Sequence, residues 1–235
     1  MTKAENFEAS HTPFSPEKYG RSPYEIKRAE ILQNMLPPSD GARAIDVGCG
    51  PGFFSKQLTK RGWLTTSVDT DASNLEYAKP FVEQTFCGDA LAVLPQLPQE
   101  TYSLALALEI IEHMPEERGN TLLAEIRRVL QRGARLIIST PNRHSPEGLG
   151  GYYWGEKMRG GERWDAWDPT HVRIYSAREL IRLLRENGFS IDRVTGYHYY
   201  GRIPILGRWK LPIDSTNRGP FNLFGFNVII EARRV

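Results

Sequence analysis

Cysteine is scarce in this 235-residue chain, which carries two, Cys49 and Cys87. Two thiols cannot build a disulfide framework or a four-thiolate zinc centre, so a reducing compartment is expected. Charge of one sign is not in excess either: 30 basic residues stand against 28 acidic ones, for a net charge of +2. No global field is present to hold a polyanion, which disfavours nucleic acid as a partner and leaves only local basic patches. No run approaches the roughly 20 apolar residues of a membrane span, and the opening stretch MTKAENFEASHT lacks a secretory apolar core. The expectation is a soluble, cytoplasmic protein. With 40% hydrophobic and 25% charged residues, the chain can bury a core, and disorder over most of its length is excluded. Repeats and low-complexity segments are absent.

Residues 1–22 are polar, contain Pro13 and Pro16, and show no sustained periodicity; they are expected to be a flexible arm. Residues 23–235 are expected to form a single domain. Ile26, Ala29, Ile31, Leu32 and Met35 share one face of a helix that Pro37-Pro38 stops. From Ala42 onward, strand-like and helix-like segments alternate: strands at 42–47, 63–68, 84–87, 102–108 and 134–140, with helices at 54–61, 72–78 and 120–131 between them. That alternation predicts a doubly wound α/β fold, a mostly parallel sheet with helices on both faces, and explains why LALAL and LIIS are apolar without alternating. Ser176 with Glu179 forms a capping box ahead of a last helix closed by Gly188, followed by strands near 190–196 and 226–232. Two stretches, 142–172 and 197–224, exceed usual loop lengths and are expected to be lid-like functional insertions.

The most specific feature is AIDVGCGPGF, residues 44–53, where an apolar strand runs into Gly48, Gly50 and Gly52 before a helix. Such glycines allow positive φ and close approach of a ligand to the main chain, at the strand end where open α/β sheets bind ligands. A plain strand-to-helix turn is the alternative. A dinucleotide fingerprint requires G-x-G-x-x-G, but position 53 is Phe, which favours a smaller ligand than a pyrophosphate. Asp69 ends the second strand, where a carboxylate in such folds binds a ribose diol, and Asp89 ends the third. Either acid alone can equally be a helix cap.

Together these residues resemble the class I methyltransferases that use S-adenosylmethionine. DVGCGPG looks like their first motif, Val68-Asp69 like their ribose-binding acid, Gly88-Asp89-Ala90 like their adenine-side motif, and Leu108 to Met114 like the segment after their fourth strand. The resemblance covers about residues 40–235. It implies a Rossmann-like sheet of seven strands in the order 3-2-1-4-5-7-6, the last antiparallel. It also implies that Asp46 and Gly48 line the methionine part of S-adenosylmethionine, that Asp69 holds the ribose, and that Asp89 and Ala90 hold the adenine. Cys49, Gly50, Gly52, Thr70 and Leu108 complete the cofactor candidates.

After the fourth strand comes Glu109-Ile-Ile-Glu112-His113. Were this one helical turn, Glu109, Glu112 and His113 would point the same way. The block is similar to the Glu-x-x-Glu-His of the ubiquinone-pathway O-methyltransferases and of the small-RNA ribose 2′-O-methyltransferases. In the latter a later histidine completes a divalent metal site, and His171 in DPTHVRIYS takes the corresponding place. The resemblance thus implies Glu109, Glu112, His113 and His171 as ligands for Mg2+ or another divalent cation. The alternatives are a metal-free His113 base and a purely structural role for the acids. His144, after the fifth strand, is a second candidate base or else a surface histidine.

The first insertion gathers Tyr152, Tyr153, Trp154, Trp164 and Trp167 among glycines, a composition suited to stacking on a ring and to closure. The second carries Arg202, Arg208, Lys210 and Arg218 against Asp214 alone, a local excess of +3 that suits an acceptor phosphate or carboxylate. Its IPILGRWKLPI segment has a composition that can rest on a membrane surface. The expected activity is methyl transfer to a hydroxyl oxygen of a small molecule, a sugar, polyol or phenol, with Arg143 and the aromatic insertions shaping the pocket. N-methylation of a small amine, a nonenzymatic cofactor-binding scaffold and a terminal RNA ribose as acceptor are the other readings. The oligomeric state is not legible.

Overall fold

The computed structural model describes residues 23–150, 165–166, 168–198, 200–203, 207–210 and 215–235. The arm at 1–22 and the aromatic residues Tyr152, Tyr153, Trp154, Trp164 and Trp167 lie outside the described residues. The chain divides into two compact units at the Val93–Leu94 boundary.

The first unit opens with α1 (Pro23–Met35), whose Ile31, Leu32 and Met35 are buried as their spacing predicts, whereas Ile26, expected on the same face, is exposed. Three parallel strands follow, β1 (Arg43–Val47), β2 (Leu64–Asp69) and β3 (Gln84–Cys87), in the order 3-2-1. The helices α2 (Phe53–Lys60) and α3 (Ala72–Ala78) connect them, and α4 (Ala90–Val93) follows β3. All but the first residue of β1 is buried, so the strand needs no polar alternation.

The second unit contains β4 (Tyr102–Leu108), α5 (Glu116–Val129), β5 (Leu130–Pro141), α6 (Pro146–Leu149), α7 (Ala177–Glu186), β6 (Phe189–Tyr197), a hairpin of β7 (Tyr200–Ile203) with β8 (Gly207–Lys210), β9 (Ser215–Thr216) and β10 (Asn227–Arg234). In α5, Glu116 and Glu117 occupy the first turn and Arg127 and Arg128 the last, complementing the helix dipole at both ends. At the start of α7, Ser176 Oγ accepts from the Glu179 amide at 3.2 Å while Glu179 Oε2 accepts from the Ser176 amide at 2.7 Å. A cap of this kind contributes typically about 1 kcal/mol.

The strand order is β3-β2-β1 in the first unit and β4-β5-β10-β6-β9 in the second. The α/β class stands, and β10 is the antiparallel last strand expected between β5 and β6. The expected count of seven is corrected to eight. Ser215–Thr216, inside the second expected insertion, adds an edge strand by pairing with Gly196 and Tyr197. Two residues carry no readable alternation, so nothing in the sequence marks them as strand. Helix α5 begins at Glu116 rather than near Asn120, and β5 begins at Leu130, directly at the end of that helix. Among the described residues no helix is long and apolar enough to cross a membrane.

Candidate functional site

In the first unit, the glycine loop joins β1 to α2. Gly48 and Cys49 both donate their amides to the Val68 carbonyl, at 2.8 and 3.0 Å, which pins the loop to the end of β2. The glycines at 50 and 52 serve different ends. Gly52, at φ 78, leaves no room: a Cβ there would sit 2.5 Å from the Ala78 Cβ and 2.8 Å from its Cα. Gly50, at φ 52, faces open space, with nothing within 4 Å of where its Cβ would be. Close packing of helix on helix explains the first, and access of a ligand to main chain suits the second.

Around this loop stand the expected acids. The Asp69 carboxylate accepts from the Gly50 amide at 2.8 Å, the Asp71 amide at 2.9 Å and Asn74 Nδ2 at 3.2 Å. Asp89 accepts from the Leu91 amide at 2.9 Å, and Ala90 is buried behind it. The Thr70 carbonyl accepts from the exposed Cys87 thiol at 3.7 Å. Asp46 is 2% exposed, and its Oδ2 accepts from Ser55 Oγ at 2.6 Å, which in turn accepts from Ser67 Oγ at 2.8 Å. Burial raises the Asp46 pKa to about 7; the Ser55 hydrogen bond opposes this and the nearby Asp69 charge adds to it. Burial likewise pushes the Cys49 thiol far up, so it is an inert packing group rather than a nucleophile. A cavity of about 560 Å³ beside the loop is lined by Pro51, Phe53, Lys56, Tyr77 and Phe81 but by none of the three acids.

In the second unit, Leu108 is buried at the end of β4. The chain then turns at Glu109, which adopts φ 53, before a 3-10 turn at Ile111–His113. Glu109 is therefore not on one helical turn with Glu112 and His113, although its charge still acts on His113. Its carboxylate accepts from Ser139 Oγ at 2.6 Å and Asn227 Nδ2 at 3.2 Å. A non-glycine residue in this backbone region costs of order 1–3 kcal/mol, which such fixed partners must offset.

Glu112, His113 and His171 do come together. Their ligand atoms lie within 4.8 Å of one another, and the two imidazole centroids are 4.9 Å apart. His171 is delivered by main chain: the Glu112 carbonyl accepts from both the Val172 and Arg173 amides, at 2.8 and 2.9 Å. The Glu112 side chain is fully buried; Thr140 Oγ1 donates to its Oε2 at 3.0 Å, and its Oε1 lies 4.0 Å from His171 Nε2. His171 Nδ1 is 2.7 Å from the Asp165 carbonyl, which can only accept, so that nitrogen carries a proton, and Nε2 faces Glu112 and, at 3.9 Å, Asp168. His113 has a pKa below the ordinary 6.5, through partial desolvation first and the neighbouring His171 second, although its outer edge stays exposed. Two imidazoles beside a carboxylate can take a proton or, when neutral, hold a cation.

His144 stands apart from this cluster, lining a cavity of about 260 Å³ with Leu149, Ala177, Arg178, Leu223 and Phe224. Arg143 is tied to Glu179 at 2.6 Å. Sequence reasoning missed Ser139, Thr140 and Asn227, which grip the two glutamates. The signal was a polar pair, Ser-Thr, ending the otherwise apolar LIIST strand.

Comparison with known proteins bears on what these residues serve. A family model described as a methyltransferase domain matches residues 21–194. The ubiquinone biosynthesis O-methyltransferase of a Bradyrhizobium species is 28% identical over 181 residues, covering 74% of this chain and 67% of that one. The protein of that name from Leptothrix cholodnii is 22% identical over 220 residues, 89% of each chain. A crystal structure of a SAM-dependent methyltransferase from Archaeoglobus fulgidus superposes with a TM-score of 0.67 at 20% identity, covering 99% of this chain and 100% of that one. The family match spans most of the chain, including β1, the glycine loop, the acids of the first unit and the histidine cluster of the second; this chain belongs to the methyltransferase-domain family, as a class I S-adenosylmethionine-dependent methyltransferase.

Proposed function

We propose that this enzyme moves a methyl group from S-adenosylmethionine to a hydroxyl oxygen of a small molecule with neighbouring hydroxyls, a polyol, sugar or phenol. The observation that carries the reading is the Glu112–His113–His171 cluster. Displacement at a sulfonium needs little acid–base machinery, since holding donor and acceptor in contact can contribute up to roughly 7–11 kcal/mol. A hydroxyl acceptor still gains from losing its proton, and a neutral His113 supplies a base for it. The printed names of the relatives, O-methyltransferases of ubiquinone biosynthesis, support oxygen as the acceptor atom.

The same cluster fits a divalent cation, because the two imidazole rings and a buried carboxylate form a compact donor set. A bound cation would lower the pKa of the acceptor hydroxyl. Two imidazoles favour Mn2+, Fe2+ or Zn2+ over Mg2+. Glu109, engaged with Ser139 and Asn227, belongs to the wall of the pocket in this reading rather than to the ligand set.

The test is to incubate the purified protein with labelled S-adenosylmethionine and a catechol, before and after exhaustive chelation, and to identify the product by NMR. An O-methyl ether supports the proposal and an N-methylated amine as the sole product overturns it. Loss of turnover on chelation with recovery on adding Mn2+ supports the cation, and full activity after chelation assigns the step to His113 alone.

A further inference from the structure

Thr170 is exposed, and no packing requirement fixes its type. Its hydroxyl nevertheless sits between two functional groups, 2.6 Å from Asp168 Oδ1 and 3.1 Å from His113 Nδ1. A threonine hydroxyl has one hydrogen to give. An ionised carboxylate can only accept, and a hydrogen bond to it is stronger than one to a neutral ring nitrogen, so the hydrogen goes to Asp168. The Thr170 oxygen is left facing His113 Nδ1 as an acceptor, which requires that nitrogen to carry its proton.

We infer that Thr170, anchored by Asp168, is a positioning residue for His113: it holds the Nδ1–H form of the imidazole and leaves Nε2 unprotonated toward the acceptor or a cation. The loop turn itself does not need this contact. The Thr170 amide already donates to Asp168 Oδ1 at 2.9 Å, which closes the turn without the hydroxyl. The same loop fixes the second histidine in the same way through the Asp165 carbonyl at 2.7 Å. Asp165 and Thr170 thus set a proton of both rings on Nδ1, and a second partner that fixes a functional histidine is a known determinant of its activity.

The inference rests on the proposed role of His113, and a readout independent of turnover separates the two. Two-bond proton–nitrogen correlation spectra of protein labelled in its histidine rings report which nitrogen is protonated. The wild type is expected to show His113 as the Nδ1–H form, Thr170→Val to shift it toward the Nε2–H form, and Thr170→Ser to restore it. In parallel, kcat for the Val variant should fall about tenfold or more with the KM for S-adenosylmethionine unchanged. A wild-type His113 protonated at Nε2, or a Val variant with an unaltered spectrum, overturns the inference. A shifted tautomer with undiminished turnover upholds the positioning and overturns instead the role of His113 in acceptor activation.

Discussion

The Gly50 amide donates to Asp69 Oδ2 at 2.8 Å, joining the glycine loop to the end of the second strand. Oδ1 of the same carboxylate takes the Asp71 amide and Asn74 Nδ2. A carboxylate offers about four acceptor positions, so one on Oδ2 is left for a ribose hydroxyl. Asp69→Ala should remove both the brace and the ligand contact. With charged hydrogen bonds at roughly 1.5–3 kcal/mol, affinity for S-adenosylhomocysteine should drop about ten- to a hundredfold, read by calorimetric titration. Undiminished binding would refute the ribose assignment.

The two glycines of the loop should separate stability from binding. Gly52→Ala drives a methyl into the Ala78 backbone and should lower the melting temperature markedly, with about 1–3 kcal/mol lost to overpacking. Gly50→Ala places its methyl in open space and should cost about 1–2 kcal/mol of backbone strain while blocking the cofactor. Thermal melts with and without S-adenosylmethionine check this: the Gly50 variant should lack the ligand-induced rise expected of the wild type.

Asp46 gives a pH dependence of definite sign. Its folded pKa of about 7 lies above the ordinary aspartate value of 3.8, so between those pH values the native state holds a proton that the unfolded chain has lost. Stability from this group therefore falls as pH rises from about 4 to about 7 and is flat above. A cationic cofactor beside Asp46 favours its ionised form, so binding below pH 7 should expel a proton and affinity should rise with pH by at most about tenfold per unit. Titration calorimetry in buffers of different ionisation enthalpy measures the proton count, and Asp46→Asn should abolish it.

Asn142, fully buried after β5, is bonded on every side. Its Nδ2 donates to the Leu223 and Gly225 carbonyls at 2.8 and 2.9 Å, and its Oδ1 accepts from the His144 and Ala177 amides, both at 3.1 Å. Asn142→Ala strands these main-chain groups and should destabilise the protein by roughly 2–4 kcal/mol in denaturant melts, against well under 1 kcal/mol for an exposed change.

What was legible in the sequence follows local physics. The glycine loop declares itself because an apolar strand, glycines and a helix lie side by side, and the Ser176 cap because both partners sit within one turn. The helical turn expected at Glu109 does not form, and its carboxylate is held instead by Ser139 and Asn227, which are 30 and 118 positions away in sequence. His171 was placed through a resemblance, yet what brings it to Glu112 is a pair of main-chain hydrogen bonds that leave no pattern in residue type. The role of Thr170 had a faint local sign in Asp-Pro-Thr-His, where an acid two residues before a threonine favours a side-chain-closed turn.

The most direct measurement is turnover of His113→Ala against wild type on a catechol acceptor at saturating S-adenosylmethionine, with cofactor affinity determined for both. Removal of the acceptor-activating group should slow methyl transfer about 10²–10⁴-fold while the dissociation constant for the cofactor stays the same. Equal rates for the two proteins would contradict an acceptor site built on this histidine.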